Sequence, residues 1–284
     1  MNASASSIPY TQTIFPLIAQ GDLEGIASLL DADPMLVHAR LGDSISEHPR
    51  GCHWTALQFA ADAGQLAVCR LLVDRGAEVY TNPSNTYPPV ILAKWKKHQA
   101  VVEYFLQEIP DKADGTNHLG VAINLAGREG WIEIVRKHIE IDPLSVHYRG
   151  WIGDTPLHWP AHNGHIEIVR LLLEHGADPK QHEINWIGGT PLHWASEREP
   201  EICQMLIDAG ADVNARVSQA GSSHLGGTAI HWCARQREDC AEAIEVLLKN
   251  GGDPTVIDAF GKTGLQYAEE RGHPRVAAAL RAVS

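Results

Sequence analysis

Trp151 to Trp159 reads W-I-G-D-T-P-L-H-W, and Trp186 to Trp194 reads W-I-G-G-T-P-L-H-W, 35 residues further on. Weaker copies follow the same plan: G-T-A-I-H-W at Gly227–Trp232, W-T-A-L-Q-F-A at Trp54–Ala60 and G-K-T-G-L-Q-Y-A at Gly261–Ala268. Self-similarity at this spacing is the mark of stacked supersecondary units, none of which buries its apolar face alone. The stretch around Thr155 shows what one unit is. The Thr155 hydroxyl suits a helix N-cap, and Pro156 suits the first helical position, where an N–H has no partner to lose. Leu157 starts an apolar stripe. Asn163-Gly164-His165 breaks it, and Ile166, Ile168, Val169, Leu171, Leu172 and Leu173 form the wide apolar face of a second helix. Gly176 can close that helix in a left-handed conformation, and Asp178-Pro179 turns the chain outward.

These residues resemble the ankyrin repeat. The likeness is most specific at Thr155–His158 and Thr190–His193, at Gly-His-x-x-Ile-Val over Gly164–Val169, and at Gly-Ala-Asp over Gly176–Asp178 and Gly210–Asp212. It implies an all-α fold, an ankyrin-repeat α-solenoid of about eight helix-turn-helix units with projecting β-hairpin fingers. The units are a first one over residues 14–37, then units anchored near Thr55, Pro88, Val121, Thr155, Thr190, Thr228 and Thr263. They form a single array over residues 10–284, preceded by a flexible N-terminus at 1–9. In such an array each unit is stabilised by its neighbours. Pro110–Thr116 is polar and irregular, leaving room for a joint, although no boundary is drawn there.

Composition narrows the function. The chain has 284 residues, with 23 Lys+Arg against 35 Asp+Glu, for a net charge of −12. An acidic surface repels phosphate backbones, so nucleic acid is not an expected partner. No apolar stretch approaches the length of a membrane span, and Met1–Thr13 has neither the basic start nor the apolar run of a secretory signal. Five cysteines without C-x-x-C spacing read as reduced thiols in a cytoplasmic protein, not as a disulfide frame or zinc site. No P-loop or G-x-S-x-G elbow is present, and no cofactor is expected.

The departures from the repeat carry the functional reading. Eight residues lead from His147 to Thr155, but 14 from Asn214 to Thr228 and 17 from His38 to Thr55. Two fingers, Leu41–His53 and Val217–Gly226, are therefore enlarged, in the place where repeat arrays put recognition. Pro160, in place of the Ala of the T-P-L-H-x-A pattern, is expected to bend its helix or leave the Pro156 carbonyl unpaired, widening the groove beside Trp159.

His158, His193 and His231 are read through the family likeness as scaffold residues, with Gln58 and Gln266 in the same slot. Trp159, Trp194 and Trp232 fall four residues after their Thr, where a ring packs beside the first helix. Trp151, Trp186 and His224 fall four before it, on the fingers. A large ring there is exposed unless it meets a neighbouring finger, a ligand or a partner. Glu47, His48, Cys52 and His53 are capable metal or acid–base groups, but their spacing matches no standard metal loop.

Two functions follow. The first is a protein–protein interaction module that grips a partner, favoured to be basic by the net charge, between the concave groove and the fingers. Its binding residues are Trp151, Asp154, Trp159, Trp186, Trp194, His224 and Trp232. The second is a small-molecule binder or enzyme with a Trp/His-lined pocket for an apolar or aromatic ligand. In it His48, His53 or His224 shuttles protons and Glu47 or Asp154 orients one of them. The sequence names no reaction.

Overall fold

The structure, a computed structural model, describes residues 14–40, 54–79, 89–108, 120–150, 152–236 and 240–283. The chain divides into two compact units, Met1–Pro110 and Asp111–Ser284.

The first unit holds three helix pairs: α1 (Ile14–Gln20) with α2 (Leu23–Ala32), α3 (Ala56–Asp62) with α4 (Leu66–Asp74), and α5 (Pro89–Trp95) with α6 (Gln99–Glu103). The second holds five: α7 (Gly120–Glu129) with α8 (Ile132–Ile141), α9 (His158–Asn163) with α10 (Ile166–Glu174), α11 (Pro191–Ala195) with α12 (Pro200–Asp208), α13 (Ala229–Ala234) with α14 (Ala241–Lys249), and α15 (Gly264–Arg271) with α16 (Pro274–Arg281). Among the described residues this gives eight helix pairs, in keeping with about eight helix-turn-helix units. In the second unit one apolar core runs from Ile123 to Leu280, fed by the second-helix residues Ile168, Val169 and Leu172 and their counterparts Ile202, Leu206, Ile244 and Leu247. No pair closes a core of its own, as expected for stacked repeats.

Two histidine ladders set the stacking. In the first, the Thr155 N–H donates to His158 Nδ1 at 2.9 Å, with Thr155 Oγ1 also 2.9 Å away. Nδ1 is thereby an acceptor, which places the ring proton on Nε2, and Nε2 donates to the Gly189 carbonyl of the next repeat at 3.2 Å. Thr228 and His231 repeat the arrangement, with Lys262 O as acceptor at 3.1 Å. Thr190 caps against His193 in the same way, and that ring faces Gly227 more loosely. Gln58 and Gln266 accept from Thr55 and Thr263 with Oε1.

In the second ladder the His after the turn between paired helices reaches back to a carbonyl of the preceding repeat. His98 meets Asp62 O at 2.9 Å, His165 meets Arg128 O at 3.0 Å, and His273 meets Gln236 O at 2.9 Å. Glycine is required opposite these rings. Gly64 and Gly130 have φ of +72° and +77°, and a Cβ on them would stand 2.5 Å from His98 and 2.8 Å from His165.

The structure corrects three expectations. Pro160 does not interrupt a helix interior. Helix α9 begins at His158, later than α11 and α13 begin after their Thr, so Pro160 lies in the first turn, where an N–H would be unpaired anyway. Gly127 makes room for the ring, since a Cβ there would be 2.9 Å from Pro160 Cγ. The fingers carry no regular strand among the described residues, although an antiparallel bridge joins Arg40 and Thr55 at the base of one. They close through one or two backbone bonds, such as Glu183 N to Gly189 O and Val217 N to Gly227 O. Finally, Cys233 and Cys240 are not reduced thiols but a disulfide, brought together across α13 and α14 with their Cα atoms 6.1 Å apart. Cys69 and Cys203 are buried free thiols, each pushed up to about 12 by burial. Cys52 lies outside the described residues, as do residues 1–9 and the enlarged finger at 41–53.

Burial holds His158 and His193 down to about 3, and it lowers His231 as well. An unfolded imidazole takes its proton near pH 6.5. Between that pH and about 3 the unfolded chain therefore binds more protons than the folded one. The ladder's contribution is complete above about pH 6.5 and falls as the pH drops toward 3. Replacing His158, His193 and His231 together by Gln is expected to flatten the fall in melting temperature over that range. Each exchange should cost about 1 kcal/mol at pH 8, where the lost ring bond is all that changes. Thermal denaturation of both proteins across pH checks this.

Candidate functional site

Residues four and seven after each repeat's Thr lie three apart, on one face of its first helix. Stacking places each seventh-position side chain against the fourth-position ring of the following repeat. Arg128 lies over the Trp159 ring at 4.3 Å, and His162 meets Trp194 edge-on at 5.9 Å. Glu197 Oε1 accepts from Trp232 Nε1 at 2.5 Å, and Arg235 lies over Tyr267 at 4.6 Å. The result is a row of rings locked by a row of polar groups, each contact made across a repeat boundary.

The fingers add a second tier. The Trp186 ring stands edge-on to Trp194 at 5.4 Å and 83°, Trp159 approaches Trp194 at 5.0 Å and 88°, and His224 lies tilted over Trp232 at 4.7 Å. Edge-to-face contacts of this kind set the electropositive rim of one ring against the face of another. Val217 is buried under Trp194 and Trp232.

Glu183, itself buried, holds the Trp186 finger from beneath. Its carboxylate accepts the backbone N–H of Trp186 at 3.0 Å, of Ile187 at 2.6 Å and of Gly189 at 3.3 Å, and that of Gly188 as well. The next finger is closed by Gly226 N to Val217 O, and Arg216 Nε donates to the Gly226 carbonyl. Backbone bonds also tie neighbouring fingers, Asn185 N to Ile152 O and Ala259 N to Leu225 O.

Between the two tiers is a pocket of about 570 Å³. Its apolar walls are Trp159, Trp186, Trp194 and Trp232, and its polar groups include His162, Glu197, Arg235 and Arg271. Burial, with Arg235 adding to it, lowers His224 at the rim to about 4, so its ring is uncharged at neutral pH. Trp186 is 53% exposed, whereas Trp194 and Trp232 show 3% and 4% of their surface.

Five residues expected at the site therefore come together: Trp159, Trp186, Trp194, His224 and Trp232. Asp154 does not join them. It is 1% exposed and absent from the pocket lining, so its assignment to the groove edge is corrected to a buried scaffold position. Trp159 hydrogen-bonds its side chain, while Oδ1 has no partner. Asp154 and His224 are thus not placed to act on one substrate. Trp151, Glu47, His48, Cys52 and His53 lie outside the described residues, and no three metal-binding side chains cluster among the described ones. Sequence reasoning missed His162, Glu197 and Arg235, although each follows a recognised Trp by three residues and so shares its helix face. It also missed Arg271 and Glu183, the latter because nothing in the sequence aims four amides at one carboxylate.

A stack of capped helix pairs with short hydrogen-bonded fingers and a ring-lined face defines a repeat protein built for surface recognition. The family descriptions "Ankyrin repeats (3 copies)" and "Ankyrin repeat" match residues 119–217, and residues 52–82 and 225–259, respectively. "Putative ankyrin repeat protein YahD" of Escherichia coli (strain K12) is 32% identical over 163 residues, which is 55% of this chain and 80% of that protein. "Cyclin-dependent kinase 4 inhibitor B" of Bos taurus is 35% identical over 132 residues, 46% of this chain and 94% of that protein. "Ankyrin repeat protein nuc-2" of Neurospora crassa is 27% identical over 93% of this chain, but the chain spans only 23% of its length; another relative is spanned over 5%. The chain belongs to the ankyrin-repeat family. Ankyrin repeats are in general protein–protein interaction modules. No helix among the described residues is long and apolar enough to cross a membrane.

Two substitutions probe the site's supports. Glu183→Ala leaves the finger amides without their acceptor and is expected to lower stability by about 2 kcal/mol, measured by urea denaturation. Burial raises the Asp154 carboxyl to about 7, with the charge of Glu183 acting the same way. A raised group stabilises the fold most below its unfolded value near 4, and that contribution is lost as the pH rises through 7. Asp154→Asn is therefore expected to raise the melting temperature by about 3 °C at pH 8 and to leave it nearly unchanged at pH 4.

Proposed function

We propose that the unit formed by residues 111–284 binds a polypeptide partner along its ring-lined face, with one partner side chain seated in the pocket beside Trp186. The observation that carries this reading is the Trp186 indole. It is half exposed at the mouth of the pocket, on a finger whose amides are fixed by a buried carboxylate. Exposing a ring this large to water is unfavourable unless something covers it in use. Ile184, Ile257 and Phe260 are also about half exposed on the fingers, extending the apolar surface beyond the pocket in a way that suits a protein more than a small molecule. Aromatic anchors within a polar rim are the usual hot spots of such interfaces. Among the relatives, Cyclin-dependent kinase 4 inhibitor B is by its name a protein that acts on another protein.

One observation favours a second reading, in which the pocket takes a small aromatic molecule. Its volume of about 570 Å³ falls in the range of roughly 300–1,000 Å³ usual for ligand sites.

Trp186→Ala distinguishes the two. A partner captured by affinity purification with the full chain is expected to bind the variant at least about tenfold more weakly by calorimetry. The paired substitution Ile184→Ser and Phe260→Ser should weaken it also. Loss on Trp186→Ala with no effect of the finger pair would favour the small-molecule reading. Unchanged affinity in all variants would overturn the assigned face.

A further inference from the structure

The charges that line the pocket are unevenly matched. Its carboxylate, Glu197, is already engaged, accepting from Trp232 Nε1 at 2.5 Å and facing His162 Nδ1 at 3.4 Å. Its two guanidinium groups have no such balance. Arg235 donates to the Ser223 carbonyl at 2.5 Å and stacks on Tyr267, partners that carry no negative charge. Arg271 lies one helical turn beyond Tyr267 and is exposed, with no hydrogen bond or ion pair among the described residues. Two carboxylates on its own helix are already engaged, Glu269 with Arg281 at 2.6 Å and Glu270 with Lys262 at 2.7 Å.

Elsewhere, Arg149 and Arg216 likewise donate to neutral carbonyl or amide oxygens. Arg75 and Arg275 each hold a carboxylate at 2.6 Å, as does Arg281. With 35 acidic and 23 basic residues, carboxylates are in excess. Among its described lining residues the pocket thus carries two guanidinium groups and one carboxylate, on a protein that is acidic overall. Burial chiefly keeps His224 at its rim neutral, with the charge of Arg235 acting the same way and that of Asp258 against it.

We propose that Arg235 and Arg271 receive an acidic side chain of the partner polypeptide, Asp or Glu, adjacent to the apolar or aromatic residue that lies against Trp186. The inference rests on the partner-binding reading above and narrows it. The groove selects an apolar residue flanked by a carboxylate, in contrast to the basic partner that the net charge alone favours. A guanidinium already oriented by a carbonyl and a ring, Arg235, with Arg271 beside it in the lining of an apolar-walled pocket, suits a planar carboxylate that binds two N–H groups at once.

The test is selection from a random dodecapeptide library displayed on phage, against the full chain, keeping clones that no longer bind Trp186→Ala. The expected consensus places Asp or Glu within two positions of Trp, Phe, Tyr or Leu. A synthetic peptide of that consensus should bind Arg271→Glu about tenfold more weakly by fluorescence anisotropy, and its Glu→Lys counterpart should recover affinity for that variant. Arg271 is exposed and has no hydrogen bond or ion pair among the described residues, so its replacement is expected to leave the fold intact, which circular dichroism checks. A basic or uncharged consensus, or an acidic one indifferent to both Arg271→Glu and Arg235→Gln, overturns the carboxylate assignment and leaves the partner-binding groove standing. If no clone depends on Trp186, both readings fall.

Discussion

The neutral imidazole between a threonine cap and the carbonyl of the next loop is the contact on which the stack depends. Three helices capped this way are only five or six residues long, α9, α11 and α13, too short to persist alone in water. Each carries its Thr–His pair, and in α9 and α13 the far ring nitrogen bonds a carbonyl of the next repeat. A protonated ring could not accept from the Thr N–H, so the neutral state is a condition of the fold. Burial enforces it by making a charge there costly. The second ladder, from His98, His165 and His273, reaches back toward the preceding repeat while the first reaches forward. Where both operate, the spacing of adjacent pairs is held from two points.

That register also produces the ring-lined face. Because residues four and seven of each first helix point the same way, fixing the stagger between repeats brings the seventh side chain onto the next repeat's ring. The contacts vary in chemistry, from Arg128 on Trp159 to Glu197 with the Trp232 N–H, yet occupy equivalent places. Repeats that differ at these positions therefore change the character of the surface without disturbing the stack, which tolerates Trp, Tyr or Phe at the fourth position.

The scaffold was legible because its signals are local. A threonine followed three residues later by His or Gln, a glycine in the turn and an apolar second helix each state their own conformation. The anchors near Thr55, Thr190, Thr228 and Thr263 lie one residue before the helices they announce. What the sequence could not convey depended on the assembled repeats. Helix α9 starts late where Pro160, which has no N–H to donate to the Pro156 carbonyl, falls in its first turn. Cys233 and Cys240 meet only once α13 and α14 pack. Asp154, at the place where the neighbouring copy has Gly189, reads as a polar finger residue until the finger folds over it. Of the site, the indoles and His224 were evident from their repeat positions. The polar half, Glu197, Arg235 and Arg271, becomes visible only when helix periodicity is applied outward from those indoles.

The carboxylate beneath the Trp186 finger has a consequence for any encounter at that surface. A ring carried on a loose loop must be immobilised by whatever it meets, and the lost conformational freedom subtracts from affinity. Here four backbone amides converge on one buried oxygen pair, so that ordering cost is met when the chain folds. The indole is presented as a preorganised, nearly rigid plate, and its contact area translates into binding energy with little entropic penalty.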